Sequence, residues 1–447
     1  MKIHRIAIEN FRGFSDKTFD FDPKMNVVLG DNTTGKTTLL QAVQIALGAY
    51  LQEMTFLPGG AGYSRNFRPS DQLKIYSESS KSFIPAMGKP TITLSTECIV
   101  GLYNHNTSQV NTSLKSVTWK RTGNKNSKAN AIQLMDFVSE IESTRRTVDQ
   151  TGINSIFPLF LSFGARRLEN NYRRVEKTRQ RETREAKAYK FALEEQVDFK
   201  GAFDWIYRYD KSFNKGSEFA FTDTAFLDAI KEAIPAIQQV NIDTKNNEFT
   251  AQIKMAKDNE PYWLTYDMMS DGFKAMINIV AEIAHRCIEL NGFLGADAIK
   301  KTPGIIMIDE VDLYLHPHWQ QHILTDLQHA FPEMQFIVTT HSPYIVQSVD
   351  SRNVITLDGV VMPLSPTKRG IEEIASSEMG MQGQLRSVKY RKQFELATEY
   401  FNLVKEGKEN QPETAKVKEE LDRLEKAAGL FNDPAYEAFL RLNRCDL

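Results

Sequence analysis

Apolar positions switch repeatedly between a spacing of two and a spacing of three to four, which predicts strands alternating with helices. Ile3, Ile6 and Ile8 predict a strand, Asn10–Gly13 a bend, and Phe19 and Phe21 a second strand. Asn26-Val27-Val28-Leu29 reads as a short buried strand. The run from Lys36 to Tyr50 that follows places Leu39, Leu40, Val43, Leu47 and Tyr50 on a helical repeat. Residues 51–90 are rich in Gly, Ser and Pro and predict surface loops with one short strand. Thr91–Cys98 and Val117–Lys120 predict strands, Thr122–Lys128 a polar turn and Ala131–Arg146 a helix. Phe157–Phe163 is an apolar strand that runs into Gly164-Ala165-Arg166-Arg167.

Further on, Asp223–Ile237 predicts a helix that Asp223 can cap, with Phe226, Leu227, Ile230 and Ile234 on one face. Val240–Lys254 predicts a hairpin around Lys245-Asn246-Asn247. Ser270-Asp271-Gly272 opens a strong helix that ends at Asn291-Gly292. An apolar strand from Gly304 ends in Asp309-Glu310, a buried strand from Phe336 ends in His341, and Asn353–Leu357 predicts a further strand. Glu372–Glu406, Pro412–Ala428 and Pro434–Leu442 predict helices. The pattern is that of an α/β chain.

Composition narrows the picture only a little. The 447 residues suit two or three domains, or one large domain with insertions. A hydrophobic share of 41% and a charged share of 25% are those of an ordinary globular chain. The net charge of −2 gives no global argument for nucleic-acid binding. Cys98, Cys287 and Cys445 are scattered, with neither a disulfide frame nor zinc spacing, so a reducing cytoplasm is expected. No apolar run approaches a membrane span, and no signal peptide is evident.

Chemistry enters at Gly30-Asp31-Asn32-Thr33-Thr34-Gly35-Lys36-Thr37, which fits the phosphate-binding P-loop G-x-x-x-x-G-K-[ST] between a strand and a helix. Gly30 and Gly35 would let the backbone wrap phosphates, with the helix N-terminus from Lys36 through Thr38 adding partial positive charge. Lys36 would reach the β- and γ-phosphates of ATP, and the Thr37 hydroxyl would hold Mg²⁺. Asp309-Glu310 closes an apolar strand, and two adjacent acids there are costly without a cation. Asp309 would order the Mg²⁺ shell, and Glu310 would orient or deprotonate the attacking water. His318 and His322 sit four apart, but no cysteine or third fixed ligand supports zinc.

The opening Ile-Glu-Asn-Phe-Arg-Gly-Phe, the P-loop, Met-Ser-Asp-Gly at 269–272, Ile-Asp-Glu-Val-Asp-Leu-Tyr-Leu-His-Pro at 308–317 and Thr-Thr-His-Ser-Pro at 339–343 together resemble RecF, SMC and OLD-type ATPases. Among them, the order is similar to that of the PtuA-like ATPases of the Septu anti-phage defence system. The motifs span Met1 to about Leu357. That resemblance implies an ABC-type (RecF/SMC-like) P-loop fold with mixed sheets, a helical insert and a helical C-terminal region. It divides the chain into an ATPase part at 1–165, an insert at 166–260, a second ATPase part at 261–360 and a helical region at 361–447 that could dock a partner.

It also implies roles. The backbone near Arg12 would lie beside the base. Ser270, Asp271 and Gly272 would form a signature acting in trans on ATP held by Lys36 of another copy. Val311–Pro317 would be the D-loop, and His341 would contact the γ-phosphate. Thr33 stands where these families commonly carry glycine. A homo-oligomer of head-to-tail dimers follows, with a separate HNH nuclease of PtuB type as partner and DNA contact through the complex. The arginine-rich run 168–200 reads as a solvated helical face, or as a lid or nucleic-acid contact. The aromatics of Phe203–Tyr209 read as packing. No Asp-x-Asp follows the Asp309-Glu310 strand, and no His-Asn-His pattern is present, so no nuclease site of its own is expected. The alternatives are a RecF/SMC-like repair ATPase with DNA in a dimer groove, and a defence ATPase with a Toprim nuclease partner.

Overall fold

The computed structural model describes residues 1–57, 62–168, 183–194, 222–243, 246, 248–255, 259–357, 365–377, 388–408 and 411–428. The chain divides into two units, Met1–Ile374 and Ala375–Leu447. Most of the arginine-rich run, the aromatics at 203–209, part of the turn at 244–247 and the helix expected at 434–442 lie outside the described residues.

The first unit is built on two large sheets. One is parallel, in the order β15-β3-β14-β13-β9, with β3 at Met25–Leu29, β9 at Leu159–Phe163, β13 at Gly304–Ile308, β14 at Met334–Thr339 and β15 at Val354–Thr356. All residues of β3, β9, β13 and β14 are buried. This explains their largely apolar sequences, since a parallel sheet is covered on both faces. The other sheet is antiparallel, β2-β1-β6-β7 with β8 beside β6: β1 Lys2–Phe11, β2 Phe14–Asp20, β6 Thr91–Asn104, β7 Gln109–Arg121 and β8 Ile153–Ile156.

Helix Lys36–Glu53 is buried along most of its length, and its contacts reach both sheets. On one side Trp119 Nε1 and Arg121 Nη1 of β7 donate to Ala46 O and Ile45 O at 2.9 and 2.7 Å. On the other, Gln44 Nε2 donates to Ser162 Oγ of β9 at 2.7 Å. The sheets are also joined directly by Gln335. Its amide accepts from Ile3 N at 2.7 Å and donates to Ile3 O and Asp22 O at 2.9 and 2.7 Å. A fully buried amide is tolerated here because its hydrogen bonds are made.

Helix Asp271–Asn291 packs on β9 and on helices Thr222–Ala233 and Arg184–Tyr189. Its last residue is pinned to the start of β9, where Asn291 exchanges two 2.8 Å bonds with the backbone of Phe157. Its buried face is not purely apolar. Glu282 pairs with Arg286 at 2.6 Å, Glu289 with Arg184 at 3.6 Å, and Arg286 also donates to Lys190 O at 3.0 Å. Arg184 and the short helix that it begins are therefore docked rather than solvated.

Several expectations are corrected. Residues 51–90 hold two short strands, β4 Lys74–Ser77 and β5 Ser82–Pro85, paired as a hairpin. The strands β6 and β7 form one long hairpin well beyond Cys98 and Val117, because the alternation fades where both faces are partly exposed. Asp223 lies inside its helix, which begins at Thr222, so it is not the cap. The hairpin of β10 Ile237–Asp243 and β11 Glu248–Ile253 gains a third strand, β12 Tyr262–Thr265. In the second unit, helices Val388–Lys405 and Pro412–Ala428 pair across Gly407, with Lys392 bridged to Glu420 at 2.6 Å. No helix among the described residues is long and apolar enough to cross a membrane.

Candidate nucleotide site

Four turns leave the carboxyl edge of the parallel sheet side by side: after β3, β9, β13 and β14. Open α/β sheets place their ligand sites there. The turn after β3 is Gly30–Gly35. Gly30 and Gly35 have φ of 157° and 107°, and a Cβ on Gly30 would stand 2.4 Å from Thr34 Oγ1. A Cβ on Gly35 would stand 2.8 Å from the ring of Phe14, which leads β2. The β1–β2 turn thus lies against the loop, with Asn10 and Arg12 both at positive φ. Thr33 has φ 76°, so the backbone there takes the left-handed form that glycine adopts freely and that strains a β-branched residue. Asp31, Asn32 and Thr33 are exposed.

Lys36 is buried, and its Nζ donates to Gly30 O at 2.6 Å and Asp31 O at 3.0 Å. The Thr37 hydroxyl donates to Asp309 Oδ2 at 2.9 Å. Asp309 Oδ1 accepts from Thr339 Oγ1 at 2.5 Å, and the same hydroxyl accepts from Glu310 N at 2.8 Å. One carboxylate therefore joins the turns after β3, β13 and β14. A hydroxyl and a carboxylate oxygen in contact, beside a helix N-terminus, form a hard-oxygen pair of the kind that binds Mg²⁺ with phosphates.

The turn after β13 is held from outside. Arg167, 3% exposed, comes from the turn after β9. Its Nη1 donates to Asp309 O at 2.9 Å, and its Nη2 to Glu310 O and Leu313 O, each at 3.0 Å. Burial lowers the pKa of its guanidinium, while Tyr314, Asp312, Glu310 and Asp309 act in the opposite sense. Within the clasped turn Glu310 has φ 49° and Tyr314 φ 71°. Two arginines, Arg166 and Arg167, in a loop that ends a buried strand suit a nucleotide-site element or an anchor for the following insert equally. Arg167 instead anchors the acidic turn, and nothing in the local pattern around it could have named carbonyls 142 to 146 positions away.

Asp312 ties this turn to the one after β14. Its carboxylate accepts from Thr340 Oγ1 at 2.6 Å and from His341 N at 3.4 Å. Gln320 donates to Leu315 O at 2.8 Å and accepts from Ser342 Oγ at 2.6 Å. His341 itself is exposed at the edge. Asp312 and Gln320 fall in the expected D-loop pattern, but the sequence did not name their partners on the turn after β14.

Ser270, Asp271 and Gly272 sit elsewhere. Gly272 packs against Tyr314, whose O would stand 2.8 Å from a Cβ there. The ring of Phe273 meets Trp319 edge-on at 4.4 Å between centroids. Ser270 precedes the helix, yet its side chain makes no capping bond, and the residue is exposed. Arg12 is committed to Asp71. Its Nε donates to the fully buried Asp71 at 2.8 Å, and its N–H to Asp71 O at 2.8 Å. Asp71 was not foreseen. The rings of His318 and His322 lie 5.5 Å apart, and no third group that could share a metal joins them among the described residues.

The chain is similar to several known proteins. The chain is 23% identical to the retron Vc95 probable ATPase of Vibrio cholerae serotype O1 biovar El Tor, over 94% of this chain and 86% of that one. It is 24% identical to the retron Ec83 probable ATPase of Escherichia coli, over 79% and 71%. It is 33% identical to the Septu protein PtuA of Bacillus thuringiensis, over 32% and 38%. Among solved structures it aligns with the SMC head domain from Thermotoga maritima at a TM-score of 0.39 and 14% identity, covering 80% and 94%. Residues 1–346 match the family model of the AAA ATPase domain, and the chain belongs to that family.

Proposed function

We propose that this chain binds and hydrolyses ATP as the regulatory subunit of a bacterial anti-phage assembly whose effector is a separate HNH nuclease, PtuB-like in kind. One observation carries the hydrolytic part: Thr37 and Asp309 meet at 2.9 Å although 272 positions separate them. The N–H groups of Gly30 through Thr38 would wrap the phosphates, and Lys36 would exchange its two carbonyl partners for phosphate oxygens. Thr37 and Asp309 would hold Mg²⁺, which supplies charge neutralisation at the phosphates. Glu310 would orient and deprotonate water, and His341 would meet the γ-phosphate at the exposed edge. Ser270 would complete the site of a second copy, a role that suits its exposed and uncommitted hydroxyl. The β1–β2 turn with Arg12 would border the base.

A second reading has support of its own. The two retron ATPases match most of this chain, whereas the Septu protein matches a third of it. A retron ATPase role is therefore the competing assignment for the partner, with the same site chemistry.

The test is to purify tagged protein expressed with its neighbouring reading frames, and to measure native mass with and without ATP. A stable complex with a small nuclease supports the first reading. A retron component in its place supports the second. A homodimer retained on DNA with no partner would overturn both in favour of a repair ATPase. Lys36→Ala should abolish ATP binding by titration, and unchanged affinity would remove the P-loop role.

A further inference from the structure

Large apolar side chains are exposed in two places that flank the candidate site. Nine of the eleven among the described residues belong to these places, so only Leu114 and Ile132 remain as ordinary surface scatter. The first place is the hairpin of β4 and β5. Its paired rungs are Ile75 opposite Ile84 and Tyr76 opposite Phe83, and both are exposed, with Phe83 at 67%. Consecutive residues of a strand point to opposite faces, so this ribbon is apolar on both faces and covered on neither. Met87, at 97% exposure, extends it. The hairpin is rooted beside the P-loop. Leu73 N donates to Asn10 O at 3.0 Å, Arg12 N donates to Asp71 O at 2.8 Å, and the adjoining Phe14 covers Gly35.

The second place surrounds the start of helix Asp271–Asn291. Tyr262 and Trp263 of the edge strand β12 are exposed, as are Met268 and Tyr314, the last in contact with Gly272. The two places also differ in charge. The hairpin and its flanks expose Lys74, Lys81 and Lys89 against one acid, Glu78. The β12 side exposes Glu260, Asp267 and Asp271 against Lys254. Exposed apolar patches rimmed by charge mark protein contacts. Here one is basic, the other acidic, and both lie on the same chain.

We propose that the β4–β5 hairpin of one copy docks on the β12 edge of a second copy, basic rim to acidic rim, and so brings the partner's Ser270 to the P-loop. This rests on the composite-site reading above and adds to it the surface that holds the two copies together. Two-fold symmetry makes the contact twice, since each copy offers one hairpin and one edge. A hairpin apolar on both faces is stable in water only when something covers it. A second copy supplies a complementary cover without any further protein.

The test uses two full-length charge-reversed variants. One is Lys74→Glu with Lys81→Glu; the other is Glu260→Lys with Asp267→Lys. Native mass is measured with ATP, and ATP binding is measured alongside to show that each variant is folded. Wild type should dimerise with ATP. Each variant alone should dimerise at least tenfold more weakly, because like charges then face each other in both contacts. An equal mixture should recover the wild-type dimer, because in the mixed pair one contact is reversed on both sides and the other is unchanged. A wild type that stays monomeric with ATP would overturn the composite-site reading together with this one. A wild-type dimer insensitive to both reversals, or a mixture no tighter than its components, would overturn the hairpin contact alone.

Discussion

The turn after β3 and the turn after β13 leave the same sheet at the same edge, separated by one strand, and they keep their shapes by different means. The first carries its conformation in its own residues: Gly30 and Gly35 at positive φ, Thr34 bonded to Asp31 O at 2.8 Å, and Lys36 folded onto Gly30 O. The second has no glycine. Its left-handed residues are Glu310 and Tyr314, and the forces that keep them there come from Arg167, Thr339 and Asp312, on other turns or farther along the same one. Strain of this kind costs about 1–3 kcal/mol per residue and persists only where the surroundings over-determine it. The glycine turn is thus a local device. The acidic turn is a tertiary one, and its geometry is open to control from β9 and whatever follows it.

Removing the external clasp should have the largest effect. Arg167→Met leaves three carbonyls without their charged donor, and stability should fall by about 3 kcal/mol. Turnover should fall on the order of a hundredfold as Glu310 shifts, while ATP affinity stays within about threefold. Combining it with Glu310→Gln should cost no more than Glu310→Gln alone. Additive losses, or affinity falling in step with turnover, would mean that Arg167 does not act through Glu310.

Gly35→Ala should come next, since it breaks the local device: positive φ and the Phe14 ring both oppose a Cβ. ATP affinity should drop on the order of tenfold, with the acidic turn unaffected. An unchanged titration would show that the loop can reshape. Asp312→Ala frees Thr340 Oγ1 and His341 N together. Turnover should fall several-fold, with a stability loss of about 1 kcal/mol; a loss of affinity alone would place Asp312 elsewhere in the cycle. The smallest effect has the opposite sign. Thr33→Gly should relieve the φ 76° strain and raise stability by about 1 kcal/mol in denaturant titration. A lower stability would show that the Thr33 side chain contributes more than its backbone costs.

The same division governs what could be read in advance. The buried parallel strands were legible because burial on both faces leaves apolar runs at 27–29, 305–308 and 336–338. The β4–β5 hairpin was not, because Ile75, Tyr76, Phe83 and Ile84 lie among serines that read as loop and no face of the ribbon is buried to give it a period. The long β6–β7 hairpin was cut short for the same reason. Charge in the run at 168–200 suggested solvent, yet Arg184 is spent on Glu289 and Ile288 O.

Sequence by itself determined the alternation of strands and helices, the glycine turn at 30–35, the acidic pair Asp309-Glu310 and the order in which these follow one another. Each depends on residues adjacent in the chain, where local sterics and hydrogen bonding act directly. Only the tertiary structure decided that Thr37 meets Asp309, that Arg167 clasps the acidic turn, that Asp312 ties it to His341 and Gln320 to Ser342, and that Arg12 is spent on Asp71. Those contacts join positions tens to hundreds of residues apart. Their partners are backbone carbonyls and ordinary polar side chains, which are common to every sequence and gain meaning only when the sheet brings them to one edge.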